Sequence, residues 1–365
     1  MGARGAPASR IEAKLERGGW LVECLRPLAG LYALVTRLRN ALYDRRVLRA
    51  HRVDAPVVCV GNLTAGGTGK TPMVALVVES LRERGRRVAV LSRGSRGDAS
   101  TDGPTGDEAR MLARRFPDLV SVQDSDRVRG AWRLASSGCD AIVLDDGFQH
   151  RRLARDVDLV LVDATRPFGA PWRGDVAPEH VLPRGLLREP ASGLARASAC
   201  VVTRSDMVSP ERLTILLERV GELAPGLPVL LAEHRPTGLV DREGTRWPLA
   251  RLVDRDVDLV SGIGNPDAFE ATVRGLGAKV QEHRRFADHH AYTDADVRGL
   301  GRGGRAVVTT AKDAVKLEDL LPALLVLEVE LVITRGHPVL DALLDSIGRS
   351  GSRLRRDNLH EGLHG

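Results

Sequence analysis

The sequence predicts an α/β fold: two α/β/α sandwich domains with mainly parallel sheets, preceded by a basic amphipathic helix. Three observations predict it. Short, largely apolar runs, such as 56–62, 140–147 and 156–164, alternate with stretches of helical period, the pattern of parallel strands buried on both faces. The alternation occurs twice, over 53–235 and over 256–350, on either side of a turn-rich stretch at 236–255. Finally, the positive charge is local. Residues 1–52 carry eleven Lys/Arg and four acids, a net +7, and the other 313 residues sum to −1.

At 365 residues and 43% hydrophobic composition the chain has material for two such domains and is too apolar for wholesale disorder. The first residues are polar and charged, without the apolar centre of a cleavable signal peptide, and no run of 18 uncharged apolar residues predicts a membrane span. Cys24, Cys59, Cys139 and Cys200 stand singly, which predicts small core residues in a reducing compartment and no thiolate metal site. A body near neutrality with 3% aromatic residues argues against a nucleic-acid groove.

In chain order, residues 20–50 place Trp20, Leu21, Leu25, Leu28, Leu31, Tyr32, Val35, Leu38 and Leu42 at helical spacing, with Pro27 breaking or kinking the first turns. Basic flanks and aromatic anchors suit a helix lying in the interface of an anionic membrane; a helix packed on its own domain, with arginines on the wet face, is the other reading. Strands are expected at 56–62, 87–94, 140–147, 156–164, 198–204 and 228–234, with helices at 73–85, 106–116 and 211–223. The second series predicts a strand, turn and helix start over 256–269, a strand at 278–286, a strand running into a turn over 305–317, a strand at 324–333 and a closing helix at 338–349. Residues 236–255 are the expected linker and 351–365 a frayed tail.

Chemistry concentrates first in Gly61–Thr71, between a strand and a helix. Glycines let backbone N–H groups converge on phosphate oxygens, and a helix N-terminus adds positive potential. Thr64, Ala65, Gly66, Gly67, Thr68 and Gly69 would wrap the phosphates, Lys70 would reach the β/γ-phosphates, and Thr71 would supply a Mg²⁺ ligand. Thr64 departs from the general pattern, which has glycine five residues before Gly69. Next, Asp145 and Asp146 end an apolar strand, the usual place for the acid that holds Mg²⁺ or its waters; adjacent residues point to opposite sides, so one faces metal and the other a neighbour. Gln149 and His150 follow directly and belong to the same candidate site. Asp288-His289-His290, at a strand-to-helix junction, can orient an imidazole base, bind metal or cap a helix. From the residues alone, Thr309–Asp313 and Leu187–Pro190 are ordinary polar loop groups. Lysine is rare, five against 49 arginines, which singles out Lys70 and Lys312 as positions where arginine does not substitute.

Taken together, GNLTAGGTGKTP (61–72), SRG (92–94), GDE (106–108), LDDGFQHRRL (144–153), LPRGLLREP (182–190), SGIGNP (261–266), FADHHAY (286–292) and TTAKDAVKL (309–317) resemble the lipid A 4′-kinase family, in family order over most of the chain. Thr64 is what that family's variant of the Gly-rich loop shows, whereas Ser95 stands where the family usually has an aromatic residue. The resemblance implies a P-loop NTPase-like first domain and a cleft between two domains. It implies ATP- and Mg²⁺-dependent phosphorylation of the 4′-hydroxyl of a tetraacyl glucosamine disaccharide 1-phosphate, yielding lipid IVA. It also implies that Asp107 takes the hydroxyl proton, that His289 assists, oriented by Asp288, and that Asp145, Asp146 and Glu108 manage Mg²⁺, with Arg93 contacting phosphate. The enzyme would sit peripherally on the cytoplasmic face of a bacterial inner membrane, with no obligatory protein partner. Two other classes compete. A P-loop ATPase or GTPase switch, or a metallochaperone, explains the Gly-rich loop but not the basic helix. A binding module with a vestigial P-loop explains only the basic helix.

Overall fold

The computed structural model describes residues 20–93, 106–288 and 290–347. Ser95 and His289 lie outside the described residues, as do 1–19 and the tail from 348. Twelve strands form one sheet: β1 Val57–Asn62, β2 Val88–Ser92, β3 Val120–Gln123, β4 Ala141–Asp145, β5 Val157–Asp163, β6 Ala199–Thr203, β7 Val229–Val240, β8 Arg246–Trp247, β9 Asp256–Ser261, β10 Lys279–Arg285, β11 Ala306–Thr310 and β12 Leu324–Arg335. Across the sheet the order is β3-β2-β4-β1-β5-β6-β7-β12-β11-β9-β10, with β8 paired to β7. The first seven are mutually parallel, and so are the last four. The two sets meet where β7 pairs β12 antiparallel.

The central strands of the first set are buried along nearly their whole length, as the continuous apolar runs require. Helices cover both faces: α2 Lys70–Glu83, α3 Asp107–Arg115, α4 Arg127–Ser136 and α5 Pro210–Leu223 in the first half, then α6 Pro266–Gly275, α7 Ala311–Leu317 and a helix over 337–347. Two apolar cores flank the first set, around Phe148, Phe168 and Leu194 on one face and Met73, Leu81 and Leu159 on the other. Two smaller ones flank the second.

The N-terminal region forms a short turn at Trp20–Glu23 and then α1, Arg26–Asp44. Pro27 occupies the first turn of α1, where its missing N–H costs nothing, so it starts the helix instead of breaking it. Leu28, Leu31, Leu34, Val35 and Leu38 form a stripe whose members are 55–62% exposed. No helix among the described residues is long and apolar enough to cross a membrane.

Residues 236–255 are structured more than the turn residues suggest. β7 runs on to Val240, β8 folds back on it, and a single 3₁₀ turn covers Leu249–Leu252. Pro236 is tolerated because the ladder between β7 and β12 shifts register there, skipping Thr237. The strand therefore crosses from one half of the molecule to the other and ties them into one sheet.

Candidate active site

The Gly-rich loop leaves β1, the strand between β4 and β5, and delivers Lys70 as the first residue of α2. Asn62 staples the loop: its side-chain amide donates to Thr68 Oγ1 (3.0 Å), Thr64 Oγ1 (3.3 Å) and the Gly66 carbonyl (3.4 Å). Thr203 Oγ1 donates to the Thr68 carbonyl (3.0 Å), and Arg204 donates to the Gly67 carbonyl (3.3 Å) while paired with Asp163. Gly69 has φ +87°, and a Cβ there would lie 2.6 Å from His234 Nε2, so glycine is required on both counts. Both ring nitrogens of His234 are buried without a hydrogen-bond partner, and burial drives its pKa down to about 3, which keeps the ring neutral.

The two aspartates at the end of β4, Asp145 within it and Asp146 just after it, are treated differently. Asp145 is buried in register with Val60 of β1, and its Oδ1 has no hydrogen-bond partner. Burial, reinforced by the charge of Glu108, raises its carboxyl to about 7 against the opposing charge of Lys70. Asp146 adopts φ +52° and turns to Arg188, whose Nη1 donates to both carboxylate oxygens (2.7 and 2.9 Å); Lys70 Nζ lies 3.7 Å away. Burial opposes its ionisation, but Lys70 and Arg188 together hold the carboxyl below its ordinary value. An orphaned carboxylate oxygen beside the P-loop fits a hard divalent cation, so Asp145 and Thr71 are the residues that would hold Mg²⁺. Among the described residues no three His, Cys, Asp or Glu side chains gather to bind a metal by themselves.

The second half closes onto this floor. A Cβ on Gly264 would lie 2.1 Å from the Gly67 nitrogen, so the Gly262–Asn265 turn packs directly against the P-loop. From α7, Lys312 Nζ bonds Asp288 Oδ1 (2.8 Å) and Glu108 Oε1 (3.1 Å), and Lys316 Nζ bonds Asp107 Oδ2 (2.5 Å). Arg114 completes the seam with two bonds to Glu318 (2.5 and 2.7 Å). His290 stacks on Phe286 with centroids 4.5 Å apart and contacts Asp296 (3.2 Å), while Tyr292 donates to Asp313 (2.9 Å).

Two spaces open from the P-loop. One, of about 220 Å³, is walled by Gly66–Thr71, Met207, His234, Phe269 and Lys312. The other is a cleft of about 1350 Å³ that brings together Lys70, Arg93, Asp107, Asp145, Asp146 and Asp288. Its rim includes Tyr32, Arg39 and Asn40 of α1. Thr71 and Glu108 face the smaller space, and Glu108 also lines the larger. Of the residues expected to hold phosphate or Mg²⁺ or to move the proton, the structure gathers all the described ones but Thr64 and Ala65 around these two spaces; those two line a small space on the far side of the loop, beside Asp163 and Asn265. Arg188, Glu189 and Lys316, and the pairing of Lys312 with Glu108, were not evident from the residues. Their only sequence signals are the rarity of lysine and a polar run in a proline-rich loop.

Fold and site define a P-loop phosphotransferase whose acceptor cleft is roofed by a second α/β half. The chain belongs to the tetraacyldisaccharide-1-P 4′-kinase family, whose profile matches residues 21–348. It is 43% identical over 336 residues to the tetraacyldisaccharide 4′-kinase of Anaeromyxobacter sp. (strain K), covering 85% of this chain and 86% of the relative. To the protein of the same name from Pelobacter propionicus it is 36% identical over 348 residues, covering 88% and 92%. The LpxK structure from Aquifex aeolicus, solved in complex with ATP, superposes with a TM-score of 0.70 at 30% identity, covering 90% of this chain and 99% of that one.

Proposed function

We propose that the protein transfers the γ-phosphate of ATP to the 4′-hydroxyl of tetraacyldisaccharide 1-phosphate, yielding lipid IVA, in the 1350 Å³ cleft. The observation that carries this is the opening of the P-loop lysine, the strand-end aspartates and Asp107 into one cleft whose rim is the amphipathic helix. Backbone N–H groups of Gly66, Gly67 and Gly69 and the Lys70 ammonium hold the phosphates, the Ala65 N–H being committed to the Leu186 carbonyl (2.7 Å), and Arg93 at the cleft wall adds a further cation. Mg²⁺, held by Thr71 and Asp145 with Glu108 nearby, neutralises phosphate charge when bound. Asp146, held by Arg188, stands 3.7 Å from Lys70 Nζ and steadies its ammonium. Asp107 takes the proton of the acceptor hydroxyl, and His289 assists, oriented by Asp288 in the family motif. A positioned base of this kind contributes about 10²–10⁴-fold. The division into a nucleotide domain (53–235) and a smaller domain (256–350) lets the second half exclude water from the transfer. The exposed Leu stripe of α1 and the +7 N-terminal segment support peripheral attachment to an anionic membrane surface, on the cytoplasmic face of a bacterial inner membrane where ATP is available.

The test incubates the purified protein with γ-labelled ATP, Mg²⁺ and the acceptor in detergent, beside Lys70→Ala, Asp107→Ala and His289→Ala. Label in the lipid, abolished in the first variant and sharply reduced in the others, is the expected result. ATP hydrolysis without labelled lipid would overturn the reading in favour of an ATPase.

A further inference from the structure

Two lysines of the second half share a space with the P-loop: Lys316, paired with Asp107, lines the larger cleft, and Lys312 lines the smaller space along Gly66–Thr71. It stands in the first turn of α7, its side chain 15% exposed, with Nζ 2.8 Å from Asp288 and 3.1 Å from Glu108. Its charge is also felt by Asp145 at the end of β4. A lysine is buried this far only when its charge has work to do or is fully matched. Matching alone does not explain it. Holding two carboxylates is a task for the forked guanidinium of arginine, and this chain uses arginine at 49 of its 54 basic positions. A compact ammonium, by contrast, is a point charge that can exchange a carboxylate for a phosphate oxygen without reorienting a plane.

We propose that Lys312 is a second phosphate-binding cation, delivered from the second half of the molecule to the γ-phosphoryl group in transit, opposite Lys70. The inference rests on the assignment of the P-loop as the ATP site. When the triphosphate enters, Lys312 leaves Glu108 for a γ-phosphate oxygen. During transfer the acceptor oxygen bonds the γ-phosphorus as the bond from that phosphorus to the β–γ bridging oxygen breaks. The hydroxyl proton passes to Asp107, and Lys312 keeps its own proton, supplying charge alone. Because the charge arrives only when the halves are closed, ATP bound to an open molecule is spared from hydrolysis.

The experiment measures equilibrium binding of ADP and of a non-hydrolysable ATP analogue, both with Mg²⁺, to the full chain and to Lys312→Met and Lys312→Gln, together with kcat for lipid phosphorylation. A contact to the γ-phosphate predicts that the analogue binds about 10–100-fold more weakly to both variants, the worth of one charge-assisted hydrogen bond. ADP affinity, which also certifies that the variants are folded, stays within about twofold on the same reasoning. The loss in kcat should be about 10²–10³-fold with little change in KM for the lipid. Equal weakening of ADP and analogue would make Lys312 a strut between the halves and overturn the proposal, as would an unchanged analogue affinity with kcat retained. Wild-type protein that binds ATP but labels no lipid would sink the kinase reading instead, independently of either variant.

Discussion

The contact between Gly264 and the P-loop allows a sharp test of whether the second half is part of the catalytic floor. A methyl group at Gly264 would sit 2.1 Å from the Gly67 nitrogen, 2.8 Å from its Cα and 3.0 Å from the Gly66 carbonyl carbon. All three are backbone atoms, so no side chain can swing away. Gly264 has no positive φ, and alanine there is strained by space alone. Restoring ordinary van der Waals separation of about 3.4 Å requires a shift of roughly 1.3 Å between the turn and the loop, and a misplacement of about 1 Å at a phosphoryl-transfer site costs on the order of 10²-fold. Overpacking of this kind destabilises by about 1–3 kcal/mol, too little to unfold a well-packed domain. Gly264→Ala is therefore expected to fold, to lose about two orders of magnitude in kcat/KM for ATP, and to melt somewhat earlier. The control is Gly221→Ala on α5, where nothing lies within 4 Å of the added methyl. Activity is followed by label transfer to the acceptor and folding by circular dichroism. If Gly264→Ala turned over within about twofold of the control, the tight apposition would be irrelevant to catalysis and the closed-cleft argument would be wrong.

Three further outcomes are expected. Asp145 has a carboxyl raised to about 7, so between its ordinary value and that pH the folded protein holds a proton that the unfolded chain has lost. This contribution to stability is present at the acid end of the window and disappears as pH rises through about 7. In Mg²⁺-free buffer the melting temperature of the wild type should fall from pH 5 to 8 relative to Asp145→Asn, and parallel curves would count against the assignment. Arg188→Met removes both hydrogen bonds to Asp146 Oδ1 and Oδ2, which should lower kcat more than it raises KM for ATP; an ATP-affinity loss alone, measured by calorimetry, would contradict a role for the pair in the transfer step. Leu31→Glu combined with Leu34→Glu places charge on the exposed stripe of α1. Each Leu is worth about 1.5–3 kcal/mol when buried, so binding to anionic vesicles in a sedimentation assay should drop at least tenfold while ADP affinity is unchanged.

How much of this was legible in the sequence depends on how local each signal is. The P-loop is local: spacing and glycines between a strand and a helix define it, and the structure adds the stapling by Asn62 and the bonds from Thr203 and Arg204. The strand-end aspartates were legible as a pair, but their division of labour was not, because it is made by Arg188, 42 residues away. The seam of α3 and α7 joins Lys312 to Glu108 across 204 positions, and no periodicity carries such a pairing. β3 escaped notice because it is a short, half-exposed edge strand, and α4 because its composition is polar, although Asp126 caps it by accepting from the Val128 and Arg129 N–H groups. Residues 236–255 read as turn-rich, yet β7 runs on through Pro236 because a bulge removes the need for its missing N–H.

The amphipathic helix has a place in the catalytic architecture that its composition does not reveal. Tyr32 donates to the Arg188 carbonyl (2.6 Å), the Arg188 N–H donates to the Leu63 carbonyl (2.8 Å), and the Arg188 side chain holds Asp146. In parallel, Asn40 donates to Glu189 (2.9 Å), and Gln149 bridges Glu189 (3.0 Å) to the carbonyl of Asn62 (2.9 Å), the residue that staples the Gly-rich loop. Two hydrogen-bonded chains thus run from the polar face of α1 to the two ends of the phosphate site, while the opposite face of the same helix offers its leucines outward. An anchor that only raised local concentration would need no such connections and could hang from a flexible tether. Under the proposed attachment to a membrane, a helix fixed at both Arg188 and Glu189 would set the height of the cleft above the lipid surface. That height would decide whether the hydroxyl of a lipid still seated among its neighbours can come into line with the γ-phosphate.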